Sequence, residues 1–205
     1  MLSATLVGFG AVLRSGEFSV SKNKPTMLEM SKKMKLKNIS QLDTGIVQIH
    51  LPWDKANGWS GRTVGVSSFG LPTYKLLKHH LSLNKVEPDD FIFSYVAGKG
   101  KHKGKRRLIT KASWRTWLDL MLREMKQLPL SGHSIRIGGA TQMLLNGVDP
   151  KVVQAAGGWK SEESFLKYWR NVTALIEMGK ILSAVGVPEE IEFEMEIRDK
   201  YLFRE

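Results

Sequence analysis

Apolar and polar positions along the chain follow two different periods, and the changes between them divide it into elements. Residues 2–13, LSATLVGFGAVL, are almost wholly apolar and predict a buried helix that ends as the chain enters LRSGEF. A mixed basic stretch follows, in which Pro25 breaks any continuous helix. Residues 45–53, GIVQIHLPW, then alternate with period two and predict a strand. DKANGWSG supplies turn chemistry and RTVGVSSF predicts a second strand, so the pair forms a hairpin with Lys55 close to its bend.

Helical periodicity returns in LPTYKLLKHHLSLN, with Pro72 near the first turn. DDFIFSYV is a short apolar segment. ITKASWRTWLDLMLREMKQL places Trp114, Trp117, Leu118, Met121 and Leu122 on the apolar side of an amphipathic helix. Three further helices carry clear punctuation. One runs from about Ser134 to Asn146 and stops at Gly147. The next has Asp149 as N-cap, Pro150 at its first position and Gly157 as its stop. In the third, Ser161 caps, Glu162 and Glu163 complement the helix dipole, and SFLKYWRN follows. Residues 190–197, EIEFEMEI, alternate strictly and predict a strand with Ile191, Phe193, Met195 and Ile197 on one face. The predicted class is α+β, mostly helical, with a small antiparallel sheet packed on a helical bundle.

Composition narrows the function. A chain of 205 residues makes one domain, or one domain with a short appendage. The absence of cysteine excludes disulfide scaffolds, thiolate metal sites and a cysteine nucleophile. No apolar run reaches the roughly 20 residues that span a bilayer. The apolar N-terminus lacks a basic stretch ahead of it and reads as a buried helix rather than a signal peptide. The net charge of +11 is uneven: Pro188 to Glu205 holds seven acids against three bases, a net −4, so the first 187 residues carry +15. Such a body suits a polyanion, and the lack of a basic amphipathic helix favours nucleic acid over a membrane.

The candidate chemistry starts in SGHSIRIGGATQMLLNG. His133 and Arg136, three residues apart on a helix, share a face. An arginine fork matches phosphate geometry and an imidazole exchanges protons near neutral pH. On these residues alone an ordinary helix start is the better explanation of the pair, with Gly138 and Gly139 serving helix packing. Arg14 and Glu17 repeat the three-residue spacing directly after the first buried helix. Lys55 projects from the hairpin bend, Trp159 follows two glycines, and Tyr168 comes nine residues later.

In this order the residues resemble a known family. SGHSIRIGGATQMLLNGVDPKVVQAAGGWKSEESFLKYWRN is similar to the C-terminal core of the tyrosine recombinases, the phage-integrase superfamily. GFGAVLRSGEF together with GHSIRIGGAT resembles the recombinases of DIRS-type retrotransposons, a group of mobile elements. The resemblance implies a catalytic domain over residues 1–187, the family's N-terminal core-binding domain being absent. It makes the acidic tail 188–205 either a strand that docks on a second copy or a segment folded back on its own domain.

The resemblance also implies roles. Tyr168 is the nucleophile toward a DNA phosphate, forming a 3′-phosphotyrosyl link. Arg14 and Arg136 clamp the non-bridging oxygens, and Lys55 is general acid to the leaving 5′-oxygen. His133 and Trp159 bond the phosphate, with His133 available for proton transfer, and Glu17 orients the site. The glycines after Arg136 then let its helix lie close beneath the phosphate. No metal or cofactor is required. The partners implied are double-stranded DNA, further copies of the chain in a tetrameric synapse, and a separate core-binding domain; the location is the nucleus in a eukaryote, the cytoplasm or nucleoid in a bacterium or phage. The rival readings are an inactive, mobile-element-derived DNA-binding module and a type IB topoisomerase-like enzyme. The loop AGKGKHKGKRR offers Lys99, Lys101, Lys103, Lys105, Arg106 and Arg107 as a phosphate-contacting strap, a nuclear-import signal or a merely solvated loop.

Overall fold

A computed structural model describes residues 1–22, 24–42 and 47–166. Tyr168, the acidic tail with its predicted strand at 190–197, and the boundary at 187 all lie outside the described residues, as do the first two positions of the strand expected at 45–53.

The first helix, α1 (Leu2–Gly10), is central because it is apolar all round, and its Ala4 and Val7 are fully buried. It packs against α4 (Thr73–Leu83) on one side and α6 (Gly132–Leu145) on another. Three residues earlier than its sequence suggests, α1 gives way to a turn in which Val12 has a φ of 55°, and this turn aims the chain into α2 (Ser15–Phe18). A short α3 (Met27–Ser31) follows.

The expected hairpin is present as β2 (Gln48–Leu51) against β3 (Arg62–Gly65), with Leu51 opposite Arg62 and Ile49 opposite Val64. Period two sets which face is buried: Ile49 and Leu51 are sealed in the core while Gln48 is exposed. Backbone pairing stops at Gly65, short of the full RTVGVSSF run, and β1 (Ile39–Gln41), not foreseen from the sequence, adds a third antiparallel strand. DDFIFSYV contributes β4 (Ser94–Val96), which pairs antiparallel with β5 (Arg106–Leu108).

The amphipathic helix forms as α5 (Lys111–Glu124), capped by Thr110, whose hydroxyl accepts from Ser113 N at 3.0 Å. Its Trp114, Leu118 and Leu122 are buried; Trp117 and Met121 are half-buried. Trp114 meets Phe18 edge-on at 5.1 Å and donates its indole N–H to Thr5 Oγ1 at 2.9 Å. Together with Leu13, Ile49, Leu77 and Ile92 these residues make the main core. A second apolar cluster joins Val12, Ala140, Met143, Leu144, Val153 and Phe165, tying α6 and α7 (Pro150–Gly157) to the segment after them.

Asp149 caps α7 as expected, accepting from Lys151 N at 2.7 Å with Pro150 at the first position. The stop is Gly158 rather than Gly157: Gly158 adopts φ 64°, the left-handed conformation that glycine takes without strain. The paired glycines of α6 also have a different task from lying under a ligand. A Cβ at Gly139 would run into the carbonyl oxygen of Phe9, and one at Gly138 would come 3.1 Å from the Phe9 ring. They let α6 lie directly on α1. Among the described residues, no helix is long and apolar enough to cross a membrane.

Candidate functional site

The end of α7 collects the residues that the sequence singled out. Arg14 stands at the N-cap of α2 and its Nη2 donates to Gly158 O at 3.2 Å. Arg136 leaves the first turns of α6, with Nη1 on Val12 O at 2.9 Å and Nη2 on Gly157 O at 2.6 Å. Helix carbonyls that have no partner further along the chain carry partial negative charge, so the C-terminus of α7 is a natural seat for two guanidiniums. Arg136 is only 2% exposed. The bonds to Val12 and Gly157 engage two of the five N–H donors a guanidinium offers.

Trp159 covers this seat. The Arg136 guanidinium lies 4.0 Å from its ring centroid, a cation–π contact, and Phe165 packs against it at 5.5 Å. Gly157 makes room for the indole, since a Cβ there would fall inside the Trp159 ring. His133, exposed on the first turn of α6, has its imidazole pKa pushed below the ordinary value by partial burial, then by the Arg136 and Arg14 guanidiniums. Lys55 is exposed in the β2–β3 turn. An open cleft is lined by Arg14, Lys55, Gly158, Trp159, Lys160 and Ser164. Elements distant in sequence thus bring Arg14, Glu17, Lys55, His133, Arg136 and Trp159 to one place.

Two residues that the sequence does not single out, Arg62 and Asp54, organise it around Glu17. Glu17 is 8% exposed and accepts from Arg14 N at 2.7 Å and Arg14 Nη1 at 3.3 Å. It also accepts from both terminal nitrogens of Arg62, at 3.3 and 3.4 Å. Arg62 lies 3.8 Å from the carboxylate of Asp54, which is fully buried directly before Lys55. The Asp54 carboxylate accepts from the N–H groups of Ala56 and Asn57 and from the Asn57 side chain. Burial alone would raise the Asp54 pKa; the bonds from Asn57 and Ala56, with the charge of Arg62, outweigh it and hold the carboxyl below its ordinary range.

The basic loop connects the two strands of the β4–β5 hairpin. Lys99, Lys101, Lys103 and Lys105 are exposed along it. Arg106 and Arg107 are not loop residues but belong to β5. Arg106 is committed to the fold: it donates to Ser94 Oγ, Asn84 O and Lys85 O and pairs with Asp90 at 3.1 Å. It is a brace of the hairpin.

Comparison with known proteins agrees with this geometry. The model of the phage integrase family matches residues 30–174. The recombinase Cre of Escherichia phage P1 is 27% identical over 160 residues, covering 68% of this chain and 44% of Cre. Among solved structures, the XerH site-specific recombinase bound to its difH substrate superposes with a TM-score of 0.55 at 20% identity, over 81% of this chain and 41% of XerH. The Tn1549 transposon integrase in complex with a circular intermediate DNA gives a TM-score of 0.53 at 14% identity, over 81% of this chain and 52% of that one. The chain therefore spans about half the length of these proteins or less.

Proposed function

Because this chain belongs to the phage integrase family, whose matched residues cover most of it, we propose that it cleaves and rejoins double-stranded DNA in site-specific recombination or integration through a 3′-phosphotyrosyl intermediate. The observation that carries the reading is the seating of Arg14 and Arg136 on consecutive carbonyls at the end of α7, beside a cleft that Lys55 and Trp159 line. The net charge of +11 supports duplex DNA as the partner.

The scissile phosphate binds between the two guanidiniums. As Tyr168 Oη attacks phosphorus, negative charge gathers on the non-bridging oxygens, and two prefixed cations stabilise it without having to reorganise. A tyrosine hydroxyl with a pKa of about 10 must lose its proton to attack at neutral pH. His133, held toward its neutral form, accepts that proton. The bond to the 5′-oxygen breaks and Lys55 donates the proton that makes this oxygen a neutral leaving hydroxyl. The phosphotyrosyl bond conserves the energy of the backbone linkage, so attack by a 5′-hydroxyl reseals the strand with no nucleotide cofactor. In sequence, Tyr168 comes four residues after Ser164, which lines the cleft. Strand exchange needs several such sites at once, so the acting species is an oligomer on DNA, with the acidic tail as its docking segment.

The test is a library of nicked duplexes of randomised sequence, in which cleavage releases a short strand that diffuses away. The reading predicts a covalent protein–DNA adduct that is lost in Tyr168→Phe. Duplex binding without any adduct would leave a DNA-binding module in its place.

A further inference from the structure

The cleft is assembled from three separate pieces of chain, and one side chain touches all of them. Arg62 reaches Glu17 of α2 with both terminal nitrogens, approaches Asp54 at the base of the Lys55 turn, and lies against the end of α7, where a Cβ at Gly158 would come 2.7 Å from Arg62 Nη1. Its side chain is 8% exposed, so this cation has been taken out of water. Its Nε has no hydrogen-bond partner among the described residues. An unsatisfied buried donor costs free energy, and a buried charge is tolerated only when paired. The orientation of the guanidinium is therefore dictated by the two carboxylates.

These contacts form a continuous chain, Arg14–Glu17–Arg62–Asp54, with alternating charges. Asp54 in turn fixes the backbone of the turn, since its carboxylate holds the N–H groups of residues 56 and 57, the two that directly follow Lys55. Asp54 and Gly58 also exchange backbone bonds across that turn, at 3.1 and 2.9 Å. Resting on the function proposed above, we infer that Arg62 is a positioning residue: it registers the Lys55 turn against the Arg14 side of the cleft, so that the general acid and the phosphate clamp are set by one ion-pair chain. Arg62 touches no reacting atom. Its loss leaves Arg14 with Glu17 but frees the turn, so the defect falls on protonation of the leaving oxygen.

That defect has a chemical signature. A sulfur in place of the bridging 5′-oxygen leaves as a thiolate, whose conjugate acid has a pKa near about 8.5, and so needs no general acid. The probe is the duplex selected from the nicked library, made with oxygen or sulfur at that atom. Adduct formation is measured for the full chain and for Arg62→Ala, Asp54→Asn and Lys55→Ala. The sulfur-to-oxygen rate ratio is taken within each preparation, so a partly folded sample does not alter it.

On oxygen, Arg62→Ala is expected to fall by about 10- to 100-fold, within the range general acid catalysis supplies, and Asp54→Asn by less. On sulfur both should return to within about threefold of the parent chain. Equal losses on the two substrates, or no adduct from Arg62→Ala and Asp54→Asn on either, would overturn the inference. Lys55→Ala separates the levels. If sulfur rescues Lys55→Ala but not Arg62→Ala, the positioning role alone falls. If sulfur fails to rescue Lys55→Ala, the general-acid assignment falls, and the inference with it.

Discussion

Arg14 and Arg136, far apart in sequence, donate to adjacent carbonyl oxygens: Arg14 to Gly158 O at 3.2 Å and Arg136 to Gly157 O at 2.6 Å. One helix terminus thereby sets the spacing of two guanidiniums. The glycines make this possible, because Gly158 turns the chain through the left-handed region and Gly157 leaves space for the Trp159 ring that lies over Arg136. Helix end, cation pair and aromatic cover are one unit.

The two arginines should separate stability from chemistry. Arg136→Ala leaves two carbonyl acceptors in the interior without their donor and should cost about 2–4 kcal/mol of stability. Arg14 is 32% exposed, and Glu17 keeps Arg62 when it is removed, so Arg14→Ala should cost under about 1 kcal/mol. Both should reduce adduct formation by about 10²–10³-fold. Urea unfolding and adduct yield, measured on the same preparations, check the contrast.

Gly139→Ala should destabilise by about 1–3 kcal/mol, because the obstacle is the Phe9 backbone, which cannot move aside like a side chain. Gly16→Ala, on α2, meets nothing within 4 Å and should be neutral or stabilising by up to about 1 kcal/mol. Thermal unfolding of the two variants tests whether the paired glycines serve the α1–α6 contact.

The sequence carried the order of the site residues but not their supports. Arg14, Glu17, His133 and Arg136 were legible through the order of motifs that resembles the recombinases, since a three-residue spacing alone suits an ordinary helix start. Arg62 was invisible: in RTVG an arginine at a strand start reads as an exposed charge, and only the hairpin register and the return of α2 bring it onto Glu17. Asp54 read as turn chemistry, which it is, with nothing to mark its burial. The alternation of β2 was plain, while β1 was too short for a period to show. For Gly138 and Gly139 two roles stood open, helix packing and a close approach to a phosphate, because a glycine pair looks alike in both; the contact with Phe9 answers to the first.

Stability should fall in mildly acid solution. His80 is buried, with Nε2 3.0 Å from Ile92 O; desolvation lowers its pKa, the Ile92 bond opposing. A histidine with a depressed folded pKa gives stability that is complete above the unfolded value of about 6.5 and is lost as pH falls from there through the folded value. His80→Gln should therefore lose less stability than the parent chain between about pH 7 and 5.5 by urea titration.

The exposed lysines of the β4–β5 hairpin should act on DNA affinity alone. Each of Lys101→Ala and Lys103→Ala that removes a phosphate contact should flatten the plot of log affinity against log salt by about 0.9. Arg106→Ala should instead lower the melting temperature, because it removes the donor to Ser94, Asn84 and Lys85. Fluorescence anisotropy across a salt series and a melting curve distinguish the two effects.

The central claim is that Tyr168 attacks a DNA phosphate held between Arg14 and Arg136. Mass-spectrometric mapping of the trapped adduct tests it most directly. The account predicts a 3′-phosphonucleotide on the peptide containing Tyr168, reduced by about 10²–10³-fold in Arg14→Ala and Arg136→Ala treated alike. An adduct on Tyr74, Tyr95 or Tyr201, or one that forms undiminished without either arginine, would contradict it.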